Sequence, residues 1–211
     1  VKKSIAMFPE PMRRLKHILD AFALKRMLAK GSLNALFVHT DAIKDLLTRR
    51  FGWQEHYSQR IVVIPDPLEI SYGRYSKEEA RQRLQLPRDI PLLLFFGELR
   101  QSKGPDVLLE AIKNLNQEFR LVIAGPPGYT TQSDIETYKG QLDAPGKVID
   151  RLKYIPEEEV NYYFLSADVV ILPYRKDFKG TRGILQHACA AGKTVISTTV
   201  GEIGRIVKQH S

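Results

Sequence analysis

The stretch Asp168–Gly201, DVVILPYRKDFKGTRGILQHACAAGKTVISTTVG, sets out a strand, a polar loop, a helix and a second strand. Asp168 to Leu172 is a short apolar, β-branched run closed by Pro173, which suits a strand buried on both faces of a parallel sheet. Tyr174 to Gly180 is polar and carries Lys176 and Lys179, so it cannot pack as a core element and must lie at the C-terminal end of that strand. Ligands bind at that end in open α/β sheets. From Thr181, read as an N-cap, Ile184, Leu185, Ala188, Ala191 and Gly192 fall at helical spacing and end on a glycine stop. Thr194 to Ser197 is then the next buried strand.

Working outward, the same alternation recurs. Ser76 and Glu79 match a capping box that opens a helix closing at Leu86-Pro87. Pro91 to Phe96 is a fully apolar strand, and Leu108, Ala111, Ile112 and Leu115 define the helix after it. Arg120 to Ala124 is a strand ending in Gly125-Pro126-Pro127-Gly128. Ile135, Tyr138 and Leu142 mark a further helix, and Lys147 to Leu152 a weaker strand. Pro156 suits the first position of a helix whose N-terminal dipole is favoured by Glu157, Glu158 and Glu159. Strands Leu92–Phe96, Leu121–Ala124, Val148–Leu152, Val169–Leu172 and Thr194–Ser197 predict a doubly wound parallel sheet in an α/β fold. A complete one has six strands, so the chain is expected to be incomplete at its C-terminus.

The front of the chain reads as the end of a second α/β domain. After Pro9-Glu10-Pro11 a helix carries Leu15, Ile18, Leu19, Phe22, Ala23 and Met27 as one apolar stripe, expected to pack against another domain rather than a membrane surface. Ala35 to His39 is a strand, Thr40-Asp41 caps a helix bearing Ile43, Leu46 and Leu47, and Ile61 to Ile64 is a strand ended by Pro65-Asp66-Pro67. His39, at a strand end, is expected to be a satisfied histidine near the domain joint. Val1 is not methionine, and the chain is expected to be cut at this end too. The expected domains are residues 1–60 and 61–211.

The net charge of +8 is uneven. Residues 1–60 hold twelve Lys or Arg against five acids, a surplus of seven, and the remainder is nearly neutral. Such a region could attract an anionic membrane surface or a phosphorylated acceptor, or simply form a solvated helix face; a nucleic-acid partner is not expected. No apolar run approaches a membrane span and no leader pattern is present. One cysteine and five histidines, scattered, offer no disulfide framework and no metal-ligand spacing. Cys189 reads as a small buried helix residue, and the setting as reducing and cytoplasmic. Ala191-Gly192-Lys193-Thr194 is like the end of a P-loop, but His187 stands where that motif needs glycine, and no G-x-G-x-x-G follows a strand.

The loop Gly97-Glu98-Leu99-Arg100-Gln101-Ser102-Lys103-Gly104 has chemistry of its own. Glycines at both ends let the backbone approach a ligand, the following helix N-terminus favours anions, and Arg100 with Lys103 can neutralise a diphosphate. The alternative is two solvated cations.

Together, the set Pro173-Tyr174, Gly183, Ala188, Ala190, Gly192, Val195-Ile196 and Gly201 resembles the donor-binding signature of family 4 glycosyltransferases, whose fold is GT-B. The loop Gly97–Gly104 resembles that family's second motif, and Val62-Val63-Ile64-Pro65 its interdomain linker. By that resemblance Lys103 and Arg100 contact the donor diphosphate, with the amides of Gly180 and Thr181 as partners, and Tyr154 and Ile155 lie near the base. Gly97, Gly104 and Gly183 belong to the same donor-binding set. Two family glutamates, one on the donor sugar and one on the ribose, correspond to Lys179 and His187 here, and Glu98 stands where many members have arginine.

The resemblance implies a glycosyltransferase that moves a sugar from a nucleotide diphosphate sugar, with retention of configuration, without metal or other cofactor. Lys179 or Arg182 would then bind phosphate or an acidic donor sugar, and His187 is either a ribose contact or an inert packed residue. The acceptor would be a saccharide or lipid-linked molecule, the setting bacterial surface polysaccharide assembly, and the basic front a peripheral membrane contact. With most of the acceptor domain absent, the chain alone is expected to be inactive. The competing reading is a degenerate GT-B module that binds a nucleotide or a partner chain without transfer.

Overall fold

The computed structural model describes residues 20, 22–38, 41–50, 52, 53, 57–64, 72, 73, 75–178 and 183–209. The chain divides into two compact units, Val1–Pro67 and Leu68–Ser211. In the first, a helix over residues 22–29 (α1) is followed by β1 (Leu36–Val38), α2 (Asp41–Asp45) with a π-turn over Leu46–Arg50, and β2 (Ile61–Val63). β1 and β2 pair in parallel, Leu36 opposite Ile61, around a core of Leu28, Val38, Leu47, Trp53 and Ile61. The predicted strand Ile61–Ile64 therefore lies with the first unit, and the chain divides after Pro67 instead of at residue 61. Arg60 closes this unit by donating to the backbone carbonyls of Asn34 (2.7 Å), Leu28 (2.8 Å) and Leu33. Leu28 lies in the last turn of α1, where its carbonyl also accepts from the Gly31 amide (3.2 Å).

Among the described residues, the predicted stripe of the first helix takes no part in this core. Leu24 and Leu28 face the core, whereas Phe22 is 69% and Met27 44% exposed. Leu24 and Leu28 follow the same spacing, one position round, and β1 and β2 pack against that side, while Leu15, Ile18 and Leu19 lie outside the described residues.

The second unit contains α3 (Lys77–Arg83), β3 (Leu92–Phe96), α4 (Pro105–Ile112), β4 (Arg120–Ala124), α5 (Gln132–Gly140), β5 (Val148–Arg151), α6 (Glu157–Ser166), β6 (Val169–Leu172), α7 (Gly183–Ala190), β7 (Thr194–Ser197) and α8 (Gly201–Gln209). All strand pairs are parallel, in the order β5-β4-β3-β6-β7. This is the doubly wound arrangement expected. α3, α6, α7 and α8 cover one core around Leu94, Phe164, Val170 and Leu185, and α4 and α5 cover the other around Phe95, Leu109, Leu121 and Ile123. The Ser76–Glu79 capping box forms in both directions, and a second one, Thr131–Asp134, opens α5.

The strand entrances are tied by Asp168. Its carboxylate accepts from Lys77 Nζ (2.5 Å), Arg81 Nη2 (2.7 Å) and the Leu92 amide (2.7 Å). Arg81 is only 2% exposed and also donates to the carbonyls of Ser166, Ile90 and Arg88. One guanidinium thus joins α3, the lead into β3 and the end of α6. Two local expectations change: Pro156 is the N-cap of α6 and not its first residue, and Cys189 is exposed, because Leu185 and Ala188 take the inward face of α7.

Candidate functional site

β3 is the centre of the sheet. From it the chain first builds β4 and β5 on one side, then crosses to build β6 and β7 on the other, so the loops after β3 and β6 part at the switch point where open sheets bind ligands. Those loops touch. Gly104 sits at φ +66°, and a Cβ there would lie 2.1 Å from the carbonyl oxygen of Pro173, at the end of β6. The Arg175 amide donates to Ser102 O (2.8 Å), and Arg175 Nη2 pairs with Asp106 (2.5 Å) in the first turn of α4.

Gly97, directly after β3, has φ +103°, and the position of its missing Cβ is 2.5 Å from Lys103 Nζ and 3.9 Å from Ile184 Cδ1. The absence of a side chain there is what lets the ammonium lie across the strand end, beside the first turn of α7. Lys103 is half-buried, and among the described residues its ammonium has no hydrogen bond and no ion pair. Burial, with Arg100 adding to it and Glu98 opposing, holds its pKa below the usual lysine value. Such a cation is poised for an anion. Arg100 is placed differently: its Nε donates to Glu98 Oε2 at 2.6 Å, and its Nη2 pairs with the same oxygen at 2.5 Å.

The structure thus brings together Gly97, Lys103, Gly104 and the start of α7 at Gly183, with Arg100 held close by through Glu98. Lys179, Gly180, Thr181 and Arg182 lie outside the described residues, as do His39 and Thr40. His187 is packed: Tyr72 Oη is 2.8 Å from its Nδ1 and 3.1 Å from its carbonyl oxygen, and its ring stacks on Phe164 with centroids 5.0 Å apart. Burial lowers its pKa, and Glu157 acts against this. Tyr154 is 75% exposed beyond β5, whereas the Ile155 side chain is buried in the core, so only its backbone is free to face a ligand.

Sequence reasoning missed Asp106, Arg175 and Tyr72, and named Tyr174 only as part of the resemblance. Tyr174 is buried, stacks on Phe178 at 3.9 Å and has its hydroxyl pKa pushed up by burial, while Thr198 Oγ1 donates to its carbonyl (2.7 Å). The one available signal was Asp106, an acid in a helix first turn. Nothing local pointed to its partner. Among the described residues no group of His, Cys, Asp and Glu suits a metal ion, and no helix is long and apolar enough to cross a membrane.

Comparison with known proteins shows what the chain is similar to. The chain is 32% identical over 129 residues to D-inositol 3-phosphate glycosyltransferase of Xylanimonas cellulosilytica, covering 60% of this chain and 30% of that protein. Of the solved structures, it superposes on sucrose-phosphate synthase from Thermosynechococcus elongatus with a TM-score of 0.66 at 22% identity, over 86% of this chain and 45% of that one. It also superposes on HepE of Anabaena, solved with UDP and glucose, with a TM-score of 0.62 at 16% identity, over 82% and 46%. The chain spans less than half the length of these proteins. A family model described as glycosyl transferases group 1 matches residues 90–211, every strand of the five-stranded sheet included. The chain belongs to the glycosyl transferases group 1 family.

Proposed function

We propose that this chain supplies the donor-binding part of a glycosyltransferase that moves a sugar from a nucleoside diphosphate sugar to an acceptor with retention of configuration. The observation that carries this is Lys103: a half-buried ammonium with no ion pair among the described residues, laid over Gly97 at the switch point, next to the first turn of α7. A leaving diphosphate gathers negative charge as the glycosidic bond breaks. Preorganised cations and helix N-terminal amides in a partly desolvated site stabilise that charge without reorganising at the moment of reaction. Lys103 takes this role, with Arg100 beside it; the amides of Gly180 and Thr181, which lie outside the described residues, are its partners by resemblance to the family. Tyr154 offers an exposed ring for a base. No metal is needed in this scheme.

HepE, which shares the fold, is solved with UDP and with UDP-glucose, which supports a uridine nucleotide as the first donor to test. The acceptor in this reading is a saccharide or a lipid-linked molecule, the location is cytoplasmic, and the basic residues 1–60 offer a peripheral membrane contact. The test is calorimetry with UDP, GDP and ADP on this chain and on Lys103→Ala. Saturable binding of one nucleotide, weakened at least about tenfold by the substitution, is the expected result, since a charge-assisted contact to phosphate contributes on the order of 1.5–3 kcal/mol. Absence of binding, or binding indifferent to Lys103→Ala, overturns the reading. Retention is checked by NMR of the anomeric configuration of the product of the complete enzyme.

A further inference from the structure

The two cations of the loop after β3 are not equivalent. Lys103 has no ion pair among the described residues, whereas Arg100 gives one hydrogen bond from Nε and a second close ionic contact from Nη2 to a single oxygen of Glu98. Glu98 directly follows Gly97, the residue over which the Lys103 ammonium lies, and both Arg100 and Glu98 act electrostatically on Lys103, in opposite senses. The three charges therefore share one neighbourhood. Two cations and one carboxylate leave a single positive charge facing any anion. The Arg100 and Glu98 side chains are 64% and 40% exposed, so the pair is open to solvent and to a ligand, and no buried scaffold locks it closed.

We propose that Glu98 is the internal anion of the donor pocket: in the empty site it holds Arg100 in an ion pair, and an incoming diphosphate must compete with its carboxylate for the guanidinium. The inference rests on the donor reading above and adds a regulator of affinity to it. A diphosphate that wins Arg100 leaves Glu98 ionised beside it, so like-charge repulsion weakens the complex. After sugar transfer the same repulsion assists release of the nucleoside diphosphate, when Glu98 closes again on Arg100. Glu98 does not touch the sugar in this scheme; it acts through Arg100 and through the field at Lys103.

Calorimetry of inorganic pyrophosphate and of UDP with Glu98→Gln, Arg100→Ala, the double variant and Lys103→Ala, each at low and high salt, tests the idea. Glu98→Gln is expected to bind both probes about fivefold to tenfold more tightly at low salt, as removal of one nearby charge in a solvent-exposed site implies. Its affinity should also fall more steeply with salt, because two cations and not one are free to be neutralised. Arg100→Ala, which leaves Glu98 unpaired, should bind more weakly than the parent, and the double variant should return close to it. Equal or weaker binding by Glu98→Gln, with Lys103→Ala still abolishing it, overturns this inference alone and makes Glu98 a support that aims Arg100. Failure of both the parent and Glu98→Gln to bind either probe overturns the donor reading as well.

Discussion

Replacing Asp168 tests how the larger unit holds its strand entrances together. Asp168→Ala removes the acceptor for the Leu92 amide and for two cations, and it leaves Arg81, 2% exposed, with only backbone carbonyls as partners. Losing one member of a buried pair costs about 3–5 kcal/mol, but the Asp168 side chain is 29% exposed, so the low end applies, about 3 kcal/mol. For a unit of this size each kcal/mol moves the melting temperature by roughly 3 °C, which makes the expected drop roughly 9 °C. Lys77→Ala, in contrast, removes a partner 39% exposed and should change the melting temperature by less than about 3 °C. Burial pulls the Asp168 pKa upward, but hydrogen bonds from Lys77 and the Leu92 amide and the charge of Arg81 outweigh it and hold the carboxyl below its usual value. The advantage over Asp168→Asn is therefore fully present above the unfolded-state pKa of about 4 and is lost as pH falls through the lower folded-state value. Thermal unfolding followed by circular dichroism across acid pH is the assay. A drop under about 3 °C for Asp168→Ala, or equal drops for Asp168→Ala and Lys77→Ala, would refute the reasoning, because the weight would then not rest on the buried guanidinium.

Other substitutions probe the site and the corrected placements. Gly104→Ala must place a Cβ 2.1 Å from the Pro173 carbonyl at φ +66°, so it should destabilise by at least about 2 kcal/mol in denaturant titration and remove nucleotide binding; full retention of both would mean the two loops do not touch. Tyr72→Phe deletes the hydroxyl that bridges Nδ1 and the carbonyl of His187 and should cost about 1–2 kcal/mol. If the same change also raises nucleotide affinity, His187 acts in binding and not in packing. Cys189, exposed on α7, should react with a thiol reagent in the native state as fast as in the unfolded one; protection until unfolding would return it to the core.

Much of the fold was legible because its signals are local. The run Thr194–Ser197 is a strand with the predicted ends, β3 begins and ends within a residue of the apolar run that foretold it, and the Ser76–Glu79 box caps α3 as its spacing required. β-branching, helical period and capping act over a few residues, so a sequence displays them directly. Lys103 was legible for the same reason, as a cation between two glycines at a strand end.

Side-of-element choices and long-range partners were not legible. The exposed Cys189 and the outward Phe22 and Met27 depend on which face a neighbouring element covers, and period alone does not say which of two overlapping stripes that is. Asp106 and Arg175 stand 69 residues apart, and Arg81 and Asp168 87 apart, yet each pair is within hydrogen-bond distance. The sequence by itself determined the strands, the helices, the parallel class and the pair of cations between two glycines in the loop after β3. Only the tertiary structure decided that β3 stands at the centre of the sheet, that Lys103 lies over Gly97 with no ion pair among the described residues and that Glu98 occupies Arg100. Strand order and ion pairing are set by which distant surfaces meet when the chain closes on itself, and no short window of residues contains that information.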